Sequence, residues 1–564
     1  MNYSLLRTVC LMVVALLTTP LHAANLYWSG TSNTLTTNAA NWTNGIAPVP
    51  FPPDNLFFTA ASYSNQPTFN QNININSLVF GDGTNASAAV TITNSGALAY
   101  LQGGGIVMNS NAGTVTVNGI NWLRIAANQT WTNNSSNPFN NNGNIISGAS
   151  SAIPTLTLAG TGFFNLGTLN QTTGTVNYTV SMTGNGTVVI GLSDSAGTIT
   201  LNSGRLGIGS AIALGSSGLG NLVINGGTIQ AFGADRTIIN TNAITISNSF
   251  TYGSSDQPNR ILNTGTGAVS LSNSATIDTF SGDLQIGGVI GDGGNGRGIT
   301  KTGAGTLTLA GANTYSGTTT VNAGTLVLAT NGSLRFVIGG SGTNNAVTGT
   351  GTTTMSGQFA FDLTGASTNT NSSWTIVANT LANSYGTSFR VSGFDGVIGG
   401  NWTNTTNGVN YVFAQSNSVL SVQSTGGVTP YNAWVGYWQE IDSTFTNTAG
   451  TDNPDGDPFD NNEEFAFDGN PTIGTGALLT AVQVGTNAVF NYVAQTNTNA
   501  VTYLVQSTTN LTNSWTNASV TISNSLNQTN PVISQTNIYE RKEFVVPASG
   551  AMFYRVQGTI TGAP

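Results

Sequence analysis

The chain has 564 residues, only 6% of them charged, and a net charge of −9. An ordinary globular protein has about 25% charged residues; here Gly, with 71 residues, and many Asn, Thr and Ser residues take their place. The acidic balance and the lack of a basic cluster argue against a phosphate backbone or an anionic membrane surface as a partner. We therefore expect no nucleic-acid partner.

Residues 1–24 have the pattern of a secretory signal peptide. Arg7 supplies positive charge, residues 9–17 form an apolar core, and residues 21–24 (LHAA) offer a cleavage site. The apolar core is too short to span a bilayer, and no later segment is long enough, so we expect no transmembrane segment in the mature chain. The sequence predicts export to the outer cell surface or the medium, with the mature N-terminus at Ala24 or Asn25.

Cys10 and His22 are the only Cys and the only His, and both lie in the predicted leader. Once the leader is removed, the chain has neither a thiol nor an imidazole. Ser-His-Asp triads, Cys-His pairs, His/Cys zinc sites, haem ligation by His or Cys, and disulfides are then excluded.

Residues 25–72 are rich in aromatic side chains for this chain, with Trp28, Trp42, Phe51, Phe57 and Phe58. A solenoid needs a cap that covers its first coil and protects the exposed strand edge. We interpret this region as an N-terminal aromatic cap, and a sugar-stacking site is the alternative.

Residues 73–335 consist of short segments in which Val, Ile or Leu alternates with Thr, separated by Gly/Asn/Ser turns. Such alternation predicts strands with one buried face. A unit of this kind cannot bury its apolar face alone and needs copies above and below it. The sequence therefore predicts an all-β fold, a right-handed parallel β-helix of about a dozen coils.

Residues 298–329 form the clearest repeat, with strand-like segments at 306–310 and 325–329 whose Leu residues we expect to point inward. The segment resembles the autotransporter-associated β-strand repeat at Lys301, Gly303, Gly305, Thr306, Leu307, Leu309, Gly311, Asn313, Thr314, Tyr315, Gly317, Thr319, Val321, Gly324, Thr325 and Leu326. The resemblance implies a β-helix and export. It implies little about a molecular activity.

Aromatic residues return in residues 336–425, which resemble the segment that commonly follows such repeats. We interpret this region as the C-terminal cap of the solenoid and expect one continuous parallel β-helix from Asn25 to Val422. A second carbohydrate-facing surface is the alternative.

Residues 430–471 combine a helix with an acidic loop. Trp434, Trp438, Ile441 and Phe445 recur at helical spacing. The following acidic segment resembles the calcium loops near the C-terminus of many exported bacterial proteins. Counted as an EF-hand loop, it places oxygen ligands for Ca²⁺ at Asn453, Asp455, Asp457, Phe459 (through its backbone carbonyl), Asn461 and Glu464.

Two positions depart from that loop pattern. Asn453 replaces the usual first Asp, and Pro458 stands where a Gly with positive φ is usual. We therefore expect Ca²⁺ to bind with weak to moderate affinity, and an acidic solvated turn is the alternative.

The pattern of residues 477–560 predicts a small β-sandwich. Its segment at 502–515 resembles other terminal domains of secreted proteins.

The solenoid carries scattered Asp residues and no Glu, and its only close mixed pairs in sequence are Asp235 with Arg236 and Asp256 with Arg260. A lyase needs a base beside acidic ligands, and a glycosidase needs two carboxylates about 5–10 Å apart. The sequence thus favours a non-enzymatic solenoid with a structural, adhesin-like or glycan-contacting role and with extracellular glycans or surface proteins as partners. A polysaccharide lyase or glycoside hydrolase on the same scaffold is the alternative.

Overall fold

A computed structural model gives the fold of most of the chain. It describes residues 23–119, 123–148, 153–169, 175–193, 197–215, 220–397, 400–406, 408–423, 434–435, 438, 444, 446, 451, 453–455, 461, 465, 479–484, 486–495, 501–508, 516–524, 539–547 and 553–560. Of the predicted leader at residues 1–24, residues 1–22 lie outside this part of the chain. No helix in the described part is long and apolar enough to cross a membrane.

The chain divides into two compact units. The first consists of Met1–Arg335, Asn345–Gln358 and Thr380–Phe389, and the second of Phe336–Asn344, Phe359–Asn379 and Arg390–Pro564. The first unit holds the solenoid, and the second holds the antiparallel sheets described below.

The solenoid is a parallel β-helix of about 12 turns. Two of its ladders belong to one 26-stranded sheet. The first ladder contains Asn25–Tyr27, Asp54–Phe58, Ile73–Phe80, Ala99–Met108, Leu123–Ile125, Gln129–Asn133, Thr155–Gly160, Asn177–Met182, Thr198–Ser203, Asn221–Ile224, Ile244–Ile246, Val269–Leu271 and Ile290–Gly291. The second contains Thr68–Phe69, Val90–Asn94, Val115–Val117, Phe139–Ser147, Phe163–Leu169, Thr187–Ser193, Arg205–Ile208, Thr228–Ala231, Phe250–Tyr252, Ala275–Thr279, Ile299–Thr302, Thr319–Val321 and Val347–Gly349.

A third ladder accompanies the later coils as a separate seven-stranded sheet. Its strands are Arg236–Thr237, Ile261–Asn263, Asp283–Ile286, Thr306–Leu309, Thr325–Leu328, Thr352–Met355 and Ala382–Tyr385. All of these pair in parallel with the strand of the next coil. The parallel β-helix predicted from the alternating pattern is confirmed.

The repeat at 298–329 spans parts of two coils, and its Leu residues point inward as predicted. Leu307 lies in register with Leu326, and Leu309 with Leu328. All four side chains are fully buried, whereas Thr306 and Thr308, which alternate with Leu307 and Leu309, are half-buried on the outer side. The stacking of successive coils therefore buries the apolar side chains that a single coil would leave exposed.

The N-terminal region already takes part in the first ladder, because Asn55 pairs with Asn25 and, on its other side, with Ser77. Trp28 and Trp42 are both 2% exposed and pack edge to face at 5.2 Å. A 3-10 helix at Ala39–Asn41 leads into Trp42. Burial makes these two indoles part of the core and removes them as sugar-stacking groups.

The expectation of one parallel β-helix as far as Val422 is wrong at its end. The strands Ser373–Thr375, Asp395–Val397, Asn401–Thr406, Val409–Ala414 and Val419–Gln423 form an antiparallel five-stranded sheet. Three further strands, Ser333–Val337, Gln358–Asp362 and Arg390–Val391, form a small sheet of their own. The period-2 pattern of a strand reports which side chains are buried and not the direction of the partner strand, which is why the sequence missed this change.

The terminal sandwich is also antiparallel. One sheet holds Leu479–Val484, Asn487–Gln495, Ile522–Asn524 and Tyr539–Pro547, and the other holds Val501–Thr508, Thr516–Asn517 and Phe553–Ile560. Tyr492, Phe544 and Val546 of the first sheet share a core with Val505 of the second. Two antiparallel sheets that share one core form the predicted β-sandwich.

Candidate functional site

A groove of about 620 Å³ lies on the side of the solenoid in the first unit. Its lining comes from five successive coils, at residues 237–239, at 263, 265 and 266, at 285 and 287, at 310, and at 329–331. The groove therefore follows the stacking direction of the coils. Among the described residues that line it, none carries a charge.

The third ladder positions the polar side of this groove. Thr237 is in register with Asn263, and Asn263 with Gln285. Strand pairing places such residues about 4.8 Å apart along the stack. The carbonyl Oδ1 of Asn263 accepts a hydrogen bond from the Gly265 amide at 2.9 Å. Within the described part of the chain, the side-chain NH₂ groups of Asn263 and Gln285 make no hydrogen bond, so they can donate to a ligand.

The apolar side of the groove is small and exposed. Ile239 is 68% exposed, and Ala310 and Ala329 come from later coils. Amide and hydroxyl groups beside small apolar surfaces match the mixture of hydroxyls and C–H faces on a neutral sugar chain. Among the described residues of the lining, none is an Asp, Glu, Lys, Arg or His that could act as a general acid or base.

The charged residues near the middle of the solenoid do not pair as their order in the sequence suggests. Asp256 forms an ion pair with Arg205, not with Arg260. The carboxylate of Asp235 accepts from the Ile261 amide at 3.0 Å, and Arg236 donates to the Phe232 carbonyl at 2.8 Å. In the described ranges, no three Asp, Glu, His or Cys side chains come together in a way that could hold a metal ion.

Lys301 of the repeat holds a corner of the solenoid. Its side chain is fully buried, and Nζ donates to the carbonyls of Thr302, Gly303 and Ala323 at 2.7, 2.8 and 3.0 Å. Burial lowers the pKa of this lysine to about 8, against the opposing effect of Asp278. A Cβ on Gly324 would lie only 2.6 Å from Nζ, and the residue has φ +65°, so the corner requires Gly. Lys301 is thus a structural residue.

The predicted calcium loop is described only in part. Asn453 is exposed, Asp455 is half-buried and Asn461 is fully buried, in a helical position. Asp457, Phe459 and Glu464 lie outside the described residues. The donor chemistry of the loop, carboxylate and amide oxygens, fits Ca²⁺.

Parts of the segment around the loop pack on the sandwich. Trp434, Val435 and Trp438 of the predicted helix are helical and buried, and Ile441 and Phe445 lie outside the described residues. The Trp434 ring meets Phe465 edge to face at 5.9 Å. The Tyr539 hydroxyl of the sandwich donates to the Phe465 carbonyl at 2.8 Å. Trp434, which precedes the loop, and Phe465, which follows it, are therefore in contact, and Phe465 is hydrogen-bonded to the sandwich.

Sequence reasoning missed the groove and its residues. Thr237, Asn263 and Gln285 belong to coils of unequal length, so their alignment depends on the register between coils. The signal available in the sequence was the polar residue at the outward position of each third-ladder strand. These polar residues can be recognised as one row only when the register between the coils is known.

One comparison with known proteins gives a match. Residues 299–328 match the family model of the Passenger-associated-transport-repeat, a repeat associated with exported, surface-associated proteins. No curated protein and no solved structure shows significant similarity to the chain. The matched residues are the strands Ile299–Thr302, Thr306–Leu309, Thr319–Val321 and Thr325–Leu328 with the corners between them. The chain is therefore a β-solenoid protein that carries a passenger-associated-transport-repeat.

Proposed function

We propose that the protein is an exported, non-enzymatic β-solenoid that contacts neutral glycans through the groove at residues 237–331. The observation that carries this proposal is the uncharged lining, in which Thr237, Asn263 and Gln285 stack in register across successive coils. Evenly spaced donors along a groove suit a polymer with evenly spaced hydroxyls.

A row of hydroxyl side chains on the second ladder supports a scaffold role. In the second ladder, Thr276, Thr300, Thr320 and Thr348 follow one another in register on the outer side. The hydroxyls of Thr320 and Thr348 are 3.2 Å apart and share a hydrogen bond. Hydroxyl rows of this kind stack without like-charge repulsion, so the solenoid can present a long neutral surface.

The test is binding of neutral and acidic polysaccharides to the mature chain, measured by affinity electrophoresis. Replacing Asn263 and Gln285 together with Ala removes two donors and should weaken retention by a neutral glycan about tenfold. The matched control is Thr300→Ala with Thr320→Ala on the second ladder, which should bind as the parent does. Equal retention of all three proteins would refute the role of the groove.

A polysaccharide lyase or glycoside hydrolase is the second candidate. It would need two carboxylates, or a base beside acidic groups, facing a bound chain. The groove lining offers none in the described residues, and this favours binding over cleavage. Release of reducing or unsaturated ends by the parent protein would reverse that preference.

A further inference from the structure

Asp54 is a buried carboxylate at the start of the first complete coil. It is 4% exposed, and each of its oxygens accepts from a backbone amide: Oδ1 from Ala24 at 2.9 Å and Oδ2 from Val49 at 3.1 Å. Between residues 23 and 81 it is the only Asp, Glu, Lys, Arg or His in the sequence. In the described part of the chain it takes part in no ion pair. A buried charge with only neutral donors is costly, and such charges are usually compensated by a partner of opposite sign.

Ala24 is held next to this carboxylate by the first strand. Its nitrogen donates to Asp54, and its carbonyl accepts from the Asn55 amide at 2.8 Å. The following residues, Asn25–Tyr27, pair in parallel with residues 55–57. Ala23 is exposed and Ala24 half-buried. The peptide bond between Ala23 and Ala24 is thus the boundary between solvent and the first coil, and it lies within the predicted cleavage site.

We propose that the leader is removed by hydrolysis between Ala23 and Ala24, and that the new α-ammonium group of Ala24 forms an ion pair with Asp54. Water adds across the peptide bond: the Ala23 carbonyl becomes a carboxylate, and the Ala24 nitrogen becomes an ammonium group with three N–H donors. The nitrogen already lies at hydrogen-bond distance from Oδ1, so no rearrangement is needed. Processing thereby supplies the positive charge that Asp54 lacks and fastens the first strand to the solenoid.

The pH dependence of this pair is open to measurement, because few other groups titrate around it. On the strands packed against Ala24 and Asp54, and on the adjoining loops, the other ionisable side chains are the carboxyl group of Asp82 and the phenols of Tyr27, Tyr63 and Tyr100. Burial raises the pKa of Tyr63 to about 12. A free α-amino group has a pKa of about 7.7–8.0, and a neighbouring carboxylate raises it. The added stability is complete below about pH 7.7 and is lost as pH rises through the raised pKa.

The inference rests on the proposed export and is independent of glycan contact. The full chain is produced with its own leader, and the N-terminus of the exported protein is determined by intact mass. Ala24 should be the first residue. A protein that keeps its leader would overturn both export and this inference, whereas Asn25 as the first residue would overturn the inference alone.

The ion pair itself is tested by the rate of reductive dimethylation of the α-amine at neutral pH, read by mass spectrometry. Only two Lys, Lys301 and Lys542, compete as amines in the mature chain. The α-amine should react about tenfold more slowly in the parent than in Asp54→Asn, as expected for a pKa raised by about one unit.

A second control covers the event that Asp54→Asn does not fold. A chain that begins at Ala23 carries one extra residue, so its ammonium group is displaced from Asp54. Its α-amine should react as fast as a free peptide amine. Its melting temperature should lie below that of the Ala24 form at pH 7, with the difference shrinking as pH approaches 10. Equal reaction rates and parallel melting curves in the two forms would refute the ion pair.

Discussion

At the scale of single residues, alternation between apolar and hydroxyl side chains decides which side of each strand is buried. Leu307 and Leu309 are fully buried, and Thr308 between them faces outward. The sequence predicted this correctly because burial depends only on the period of two. It could not predict that Asp256 pairs with Arg205, because that contact joins residues 51 positions apart in the chain.

Leu309→Asp should destabilise the solenoid by about 4 kcal/mol or more, because it places an unpaired charge in the core. Thr308→Asp is the matched control, since it adds the same charge on the outer side of the same strand and should change stability little. The measurement is thermal or denaturant unfolding of both variants and the parent. Unfolding of Leu309→Asp at the parent's temperature would contradict its inward position.

At the scale of structural elements, the corners of the coils carry the specific polar contacts. Asp292 is 2% exposed and accepts from the Gly294 and Arg297 amides, each at 2.9 Å, and from the Ser316 hydroxyl of the next coil at 2.8 Å. Burial raises the pKa of Asp292, but these hydrogen bonds outweigh it and lower the pKa to about 2. The corner thus joins two coils through one carboxylate.

Acid should loosen this corner in a defined pH range. Because the folded pKa lies below that of an unfolded Asp, the contribution of Asp292 is complete above about pH 4 and is lost as pH falls through about 2. Asp292→Asn should therefore be less stable than the parent at pH 6, by about 2 kcal/mol, and the gap should close toward pH 2. Urea unfolding of Asp292→Asn and the parent at a series of pH values measures the stability difference at pH 6 and its change with pH. A gap that does not change with pH would contradict the role of the carboxylate.

The acidic loop at 453–464 remains a prediction at this scale. A calcium loop would bring the carboxylates of Asp455, Asp457 and Glu464 together, where they would repel one another until a divalent cation binds them. We expect Ca²⁺ to bind the full mature chain with a Kd of about 10⁻⁵–10⁻³ M, and Glu464→Gln to weaken binding because one bidentate carboxylate is lost.

Calorimetric titration measures this affinity, and Asp395→Asn, a change on a carboxylate outside the loop, is the control. No heat at millimolar Ca²⁺, or the same heat and stoichiometry in Glu464→Gln and the parent, would make this stretch an ordinary acidic turn.

At the scale of the whole molecule, the sequence was sufficient for the parallel solenoid and the terminal sandwich, because both follow from repeated local patterns. It was insufficient for the antiparallel sheet that includes residues 401–423, since alternation is the same for both strand directions. The groove could also not be predicted from the sequence. Its residues at 237, 263 and 285 become neighbours only through the register between coils of unequal length.

The most direct test of the account is a glycan array combined with a reducing-sugar assay on the exported, mature chain. A neutral glycan should bind, acidic glycans and nucleic acid should not, and no reducing ends should accumulate over the incubation. Binding should fall in the variant that lacks the Asn263 and Gln285 side chains. Release of reducing ends, or binding that survives loss of both side chains, would contradict the proposal of a non-enzymatic solenoid that holds neutral glycans in its lateral groove.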